Sequence, residues 1–216
     1  MIKGTPLLLV LLMVGGCLSS TTIDLQRESY ARVIEEGESI AILGRRHNTG
    51  PETENNFIDC LGNSVEGEMP GINVIPERDF LDSLYPHFEP STAPMNVQTL
   101  DGLVNTPAVS EKLGQLRVRY IVWIEGSTER VDGKGSLSCT VSPAGGGCFG
   151  FTTWDDQANY RARVWDLETL KREGTIDAET TGSSYMPALV VPIPILARVQ
   201  ANACKSLAEQ LKEFLG

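Results

Sequence analysis

The chain has 216 residues, 28 acidic against 18 basic, and a formal net charge of −10. A length of this order suits one domain of moderate size. The acidic balance excludes a non-specific grip on nucleic acid or on anionic headgroups, which need a basic footprint. Its ordinary meaning is a solvated surface.

Met1-Ile2-Lys3-Gly4-Thr5-Pro6 precedes an apolar run over residues 7–14 and then Gly15-Gly16-Cys17. A positive start, a short apolar stretch and small residues make an export signal. The run falls short of the ~20 apolar residues of a spanning helix. Val14-Gly15-Gly16-Cys17 resembles the lipobox of bacterial lipoprotein signals, with Val14 where that family most often has Leu. The resemblance implies cleavage just before Cys17, lipid on its sulfur, and acylation sufficient for stable attachment, which one chain alone does not give. Leu18 stands where an Asp often signals inner-membrane retention, so the same resemblance points to the periplasmic face of an outer membrane. The expected organisation is a signal peptide over 1–16, an anchor, tether and short helix over 17–37, and one domain over 38–216.

Residues 18–24 read as a polar tether. Leu25, Tyr30, Val33 and Ile34 fit a modest helix over about 25–36. Ser39-Ile40-Ala41-Ile42-Leu43 is short and apolar enough for a buried strand. A helix comes next over 52–65, with Phe57, Cys60, Leu61 and Val65 on one face. Residues 72–75 read as a second strand, and Pro76 opens a helix carrying Phe80, Leu81 and Leu84. Residues 101–114 hold one or two helical turns, broken at Pro107.

Val118 to Ile124 is the strongest strand signal, and its β-branched and aromatic content marks a central strand. Gly126, Gly133 and Gly135 punctuate the stretch after it. Segments 136–142 and 147–153 read as hairpin arms, and Tyr160, Ala162 and Val164 alternate with Arg161, Arg163 and Trp165 as in a half-exposed strand. Residues 172–181 return as another strand, completing a meander. Residues 186–195 are apolar and rich in proline, which excludes a regular central strand. The last segment, 196–215, has Leu196, Gln200, Cys204, Leu207, Leu211 and Phe214 along one helical stripe. The fold class is therefore α+β: a mixed sheet with packed helices, a β-meander in the second half and a C-terminal helix.

With Cys17 carrying lipid, Cys60, Cys139, Cys148 and Cys204 remain. An even number in an exported chain suggests two disulfides. Of the three connectivities, Cys139–Cys148 closes a glycine-rich hairpin tip. That leaves Cys60 with Cys204, which join if their helices pack side by side on one sheet face. The cysteines lack a Cys-x-x-Cys spacing, and His47 and His87 have no ligand spacing with them, so no metal and no cofactor are expected.

Several segments carry a family resemblance: Ser39 to Leu43, Gly114 through Tyr120-Ile121-Val122, Ala162 to Thr169 with its aspartate-to-threonine turn, and Ala203 to Leu215. Together they resemble the α/β domain shared by curli-secretion lipoproteins, penicillin-binding-protein activator lipoproteins and the amino-terminal domain of TolB, over roughly 38–215. The resemblance implies a role in envelope assembly through protein contacts and brings no catalytic residue. The chain departs from the pore-forming curli type in having no clear long pair of alternating strands, although 136–165 is the stretch for which one can be argued.

Enzymatic signatures are sparse. There is no Gly-x-Ser-x-Gly elbow, and Gly145-Gly146-Gly147 lacks the lysine and helix of a phosphate-binding loop. Asp155 and Asp156, adjacent in an extended strand, point to opposite faces and do not form one site. The expectation is a non-enzymatic accessory protein, with membrane attachment through the anchor, an envelope protein as partner, and no nucleic acid. A small-ligand binder or enzyme with an unrecognised site, and an oligomeric secretion component, are the alternatives. The candidate interaction surface is Met186, Leu189, Val190, Val191, Ile193 and Ile195. Apolar segments are usually buried, so a connector lying across the sheet is the default for this stretch; exposed, it would mark a partner or a bilayer.

Overall fold

A computed structural model describes residues 19–29, 32–45, 52–89, 92–94, 96–143 and 145–216. Cys17 and His47 lie outside the described residues. In chain order the elements are β1 (Ser19–Arg27), β2 (Ser39–Gly44), α1 (Asn55–Glu68), β3 (Asn73–Ile75), α2 (Glu77–Ser83), α3 (Val97–Val104), α4 (Pro107–Gln115), β4 (Val118–Ser142), β5 (Gly145–Asp166), β6 (Lys171–Val190) and α5 (Val199–Leu215). One six-stranded mixed sheet runs β1-β6-β5-β4-β2-β3. The β3–β2 and β2–β4 pairs are parallel, and the rest are antiparallel.

Helices cover both faces of the inner sheet, which explains the near-continuous apolar runs of β2 and early β4. On one face Ile40, Ile42, Tyr120, Val122 and Ile124 meet α1 and α5 through Phe57, Leu61, Leu207 and Leu211. On the other, Ala41, Leu43, Ile121, Trp123 and Trp165 meet α2, α3 and α4 through Phe80, Leu100 and Leu113. Pro107 sits at the first turn of α4 and separates it from α3, so the expected break is real. The expected pairing is also present. Cys60 on α1 bonds Cys204 on α5, and Cys139 bonds Cys148 across β4 and β5.

Three expectations fail. Among the described residues no helix falls within 25–36, and 19–24 is not a loose tether, because Ser19–Arg27 is strand β1, paired with Gly174–Gly182 of β6. Its period-2 pattern is visible once sought. Ser19, Thr21, Ile23 and Leu25 are half-buried, while Ser20, Thr22, Asp24 and Gln26 are exposed. The glycines at 126, 133 and 135 do not end a strand either. Strand β4 continues through them to Ser142. Gly126 has φ +135°, and a Cβ there would stand 1.9 Å from the Asn159 carbonyl oxygen. Glycine is therefore what lets β4 and β5 stay paired through this point.

The result is a three-stranded arm. β4 leaves β2 after Ile124, and β1 ends at the level of Gly182, but β4, β5 and β6 continue together. The turn at the opposite end, joining β5 to β6, is held by Asp166. Its Oδ1 accepts the backbone N–H groups of Glu168 at 2.7 Å and Thr169 at 3.2 Å, while Arg119 donates to Oδ2 at 2.6 Å. This buried ion pair and Asx-type turn account for the aspartate-to-threonine motif.

Candidate functional site

The outer end of the arm differs from the rest of the surface. Residues 135–154 and 180–197 contain no Asp, Glu, Lys or Arg, although charged residues make up 21% of the chain. The pairing of β4, β5 and β6 brings these two stretches together. Val141, Phe149, Phe151, Leu189, Val190, Val191, Ile193, Ile195 and Leu196 are exposed there. Among the described residues, Val33, Tyr85 and Val131 are the other exposed large hydrophobic side chains.

Register decides the grouping. Phe149 lies opposite Leu189 and Phe151 opposite Pro187, so these four share a face. Val190 lies opposite Cys148, on the disulfide's face. The Phe151 and Tyr185 rings are 6.1 Å apart. The proline-rich stretch is partly strand after all. Met186 to Val190 belongs to β6, beyond the reach of β1, where Pro187 costs no ladder bond to a further strand. The chain then turns back along this edge. Tyr185 and Ile195 exchange backbone hydrogen bonds at 2.8 and 2.7 Å, and the Ile193 N–H donates to Pro187 O at 2.9 Å. The return occupies the edge that β1 leaves open.

Of the candidate surface residues, Leu189 (82% exposed), Val191 (66%) and Ile193 (62%) are the most open. Met186 is half-buried. The default of a buried connector is thus wrong. The segment lies on the edge of a sheet that has left the core, so no helix covers it. The signal in the sequence is the absence of charge from 135–154 as well, which bears on this segment only through the β5–β6 pairing.

A second feature is a cleft of about 780 Å³ on the α2–α4 side, lined by Arg163, Lys171, Arg172, Glu28 and Trp165 among others. Arg45, just after β2, is 5% exposed, and its guanidinium lies 4.8 Å from the Trp123 ring and 5.7 Å from that of Trp165. Arg45 Nε is 2.9 Å from Glu125 Oε1, an oxygen that Arg163 also contacts. Burial, then the neighbouring Arg163, holds the Arg45 guanidinium below its usual range. Arg172 pairs with Glu28 at 2.6 Å. Such a cleft can recognise charge.

Elsewhere Tyr160 links helices to sheet: its hydroxyl meets Glu54 and Thr128 at 2.8 Å each, and Gln200 at 3.2 Å. Burial raises its phenol. The aspartates of β5 separate as expected, Asp155 accepting from Ser183 and Asp156 pairing with Arg130 at 3.3 Å. His87 is half-buried and does not line the arginine-rich cleft. No group of metal-ligating side chains occurs among the described residues.

No family model and no curated protein matches the sequence. Solved structures are similar to it only in outline. A PelC dodecamer variant from Paraburkholderia phytofirmans superposes with a TM-score of 0.45 at 10% identity, covering 91% of this chain and 99% of that one. A second PelC dodecamer structure from that organism gives 0.42 at 8% identity, covering 91% and 96%. The hypothetical protein CT253 from Chlamydia trachomatis gives 0.39 at 8%, covering 82% and 98%. Superposition at this level carries no functional argument.

Proposed function

We propose that this chain is a non-enzymatic accessory lipoprotein of a bacterial envelope. In this reading lipid on Cys17 holds it at the periplasmic face of an outer membrane, after loss of residues 1–16. It acts by binding another envelope component through the outer end of the β4–β5–β6 arm. The observation that carries the reading is the concentration of exposed apolar side chains at that end, in a chain whose remaining described surface shows few. Contiguous patches of this kind mark interaction sites. Two disulfides agree with an oxidising compartment outside the cytoplasm.

The test is photo-crosslinking in intact cells from a probe placed at Leu189 or Phe149, with Val33 as an exposed apolar control. Adducts with a protein or with lipid, specific to the arm positions, are expected; equal labelling from Val33 would refute the arm as the site. Two other readings have a particular observation behind them. The arginine-lined cleft favours an anionic small ligand, which calorimetry with phosphate or citrate would detect and Arg163→Ala would weaken. The outer edge of β4 beyond Ile124 lacks a strand partner among the described residues, which favours an oligomeric secretion component; native mass measurement of the lipidated protein would show a discrete assembly.

A further inference from the structure

We infer that the component bound by the arm is the lipid bilayer itself, with the charge-free outer end lying among headgroups and upper acyl chains. This rests on the reading of Cys17 as the anchor and of the arm as the binding surface. The geometry is set by β1. Its first residue, Ser19, pairs with Gly182 of β6, and only Leu18 separates it from Cys17. Two residues of extended chain reach about 7 Å at most, so an acylated Cys17 keeps this level of the sheet close to the membrane surface.

The last charges of the arm lie within three positions of that level. Gly182 is opposite Asp156, and the next positions along are Asp155 opposite Asp132, then Lys134 opposite Thr153. Past them the arm has no charged side chain. β6 runs on for eight residues beyond Gly182, from Ser183 to Val190, which spans roughly 26 Å. The charge boundary therefore lies just beyond the anchor's level, and the apolar end projects past both in the direction of the lipid.

The chemistry of this end favours lipid over a protein partner. A protein interface keeps a polar, partly charged rim around its apolar centre, whereas here the rim is also free of charge. Backbone groups that enter lipid must be satisfied within the protein. On the β6 side part of this is met, because the chain folds back over that edge and Tyr185, Pro187, Ile193 and Ile195 bond one another there. On the β4 side the outer edge has no strand partner among the described residues, so this edge stays at the hydrated headgroup level. A single copy thus enters with Leu189, Val191 and Ile193 downward, to a shallow depth. Because the contact is apolar, it needs no anionic lipid, which suits a chain of net charge −10.

The experiment uses the mature chain carrying Cys17→Ser, exported behind a cleavable secretory signal so that no acyl chain contributes. It is mixed with vesicles of phosphatidylethanolamine and phosphatidylglycerol, and in parallel with neutral phosphatidylcholine vesicles, and floated through a density step. Flotation with both vesicle types at low and high salt is expected. The double change Leu189→Glu and Ile193→Glu, at exposed positions that leave the core untouched, should lower partitioning about tenfold or more, while Val33→Glu should not. Flotation unchanged by the double substitution would overturn the inference, as would no flotation at all. If the bilayer is not bound but arm-specific protein adducts form in cells, the lipid assignment falls and the arm stays the binding surface. If neither occurs, both fall.

Discussion

The two disulfides close loops of very different length, and this fixes their relative weight. Cys60 and Cys204 are 144 residues apart, Cys139 and Cys148 only nine. In the chain-entropy model the long loop restricts the unfolded chain by about 5 kcal/mol and the short one by about 2.6 kcal/mol. Native context widens the gap. Cys204 is fully buried between α1 and α5, where truncation also leaves a void, whereas the Cys139–Cys148 bond lies on the arm away from both cores. The Cys60→Ala/Cys204→Ala pair should therefore destabilise by about 2 kcal/mol or more beyond Cys139→Ala/Cys148→Ala. Urea unfolding of each double variant, followed by far-ultraviolet circular dichroism under oxidising conditions, measures the difference. Equal losses, or a larger loss from the arm pair, would refute both the loop-length argument and the separation of arm from core.

Gly126→Ala should cost about 2 kcal/mol or more, since a Cβ 1.9 Å from Asn159 O at φ +135° must push β4 and β5 apart; thermal unfolding reads this, and Gly102→Ala, with nothing within 4 Å, is the control. Asp166→Ala should cost about 3–5 kcal/mol by leaving Arg119, 7% exposed, without its buried partner and by untying the β5–β6 turn. Replacing Tyr120 probes pH dependence. Burial pushes its phenol up to about 12, above the usual value of 10, and its hydroxyl donates to Arg32 O at 2.5 Å. A folded-state value raised in this way gives stability that is complete below pH 10 and is lost as pH rises towards 12. Tyr120→Phe should be less stable near neutrality yet lose less of its remaining stability over that alkaline window, as denaturant midpoints across pH would show.

Much of this protein is legible from local pattern, because some elements are specified by their own residues. The helical stripes that place Cys60 on α1 and Cys204 on α5 recur every three to four residues, and their meeting in a disulfide comes from packing on one sheet face. The run from Val118 to Ile124 is apolar on both faces because helices cover both faces. The uncharged stretches 135–154 and 180–197 are likewise in the sequence, but they acquire meaning only when β5 and β6 pair and lay them side by side.

The tertiary structure alone decided the rest. Ser19 to Arg27 is polar and weakly patterned, and it becomes a strand because β6 offers it an edge some 150 residues away along the chain. Gly126 and Gly135 read as breaks, yet their positive φ values carry β4 onward in register with β5. Whether Leu189 to Ile195 would be core or surface could not be read from hydrophobicity, because burial depends on what lies above a residue, and the arm has left every helix behind. Local sequence sets which conformations are cheap; pairing between distant segments sets which edges are closed and which faces stay open.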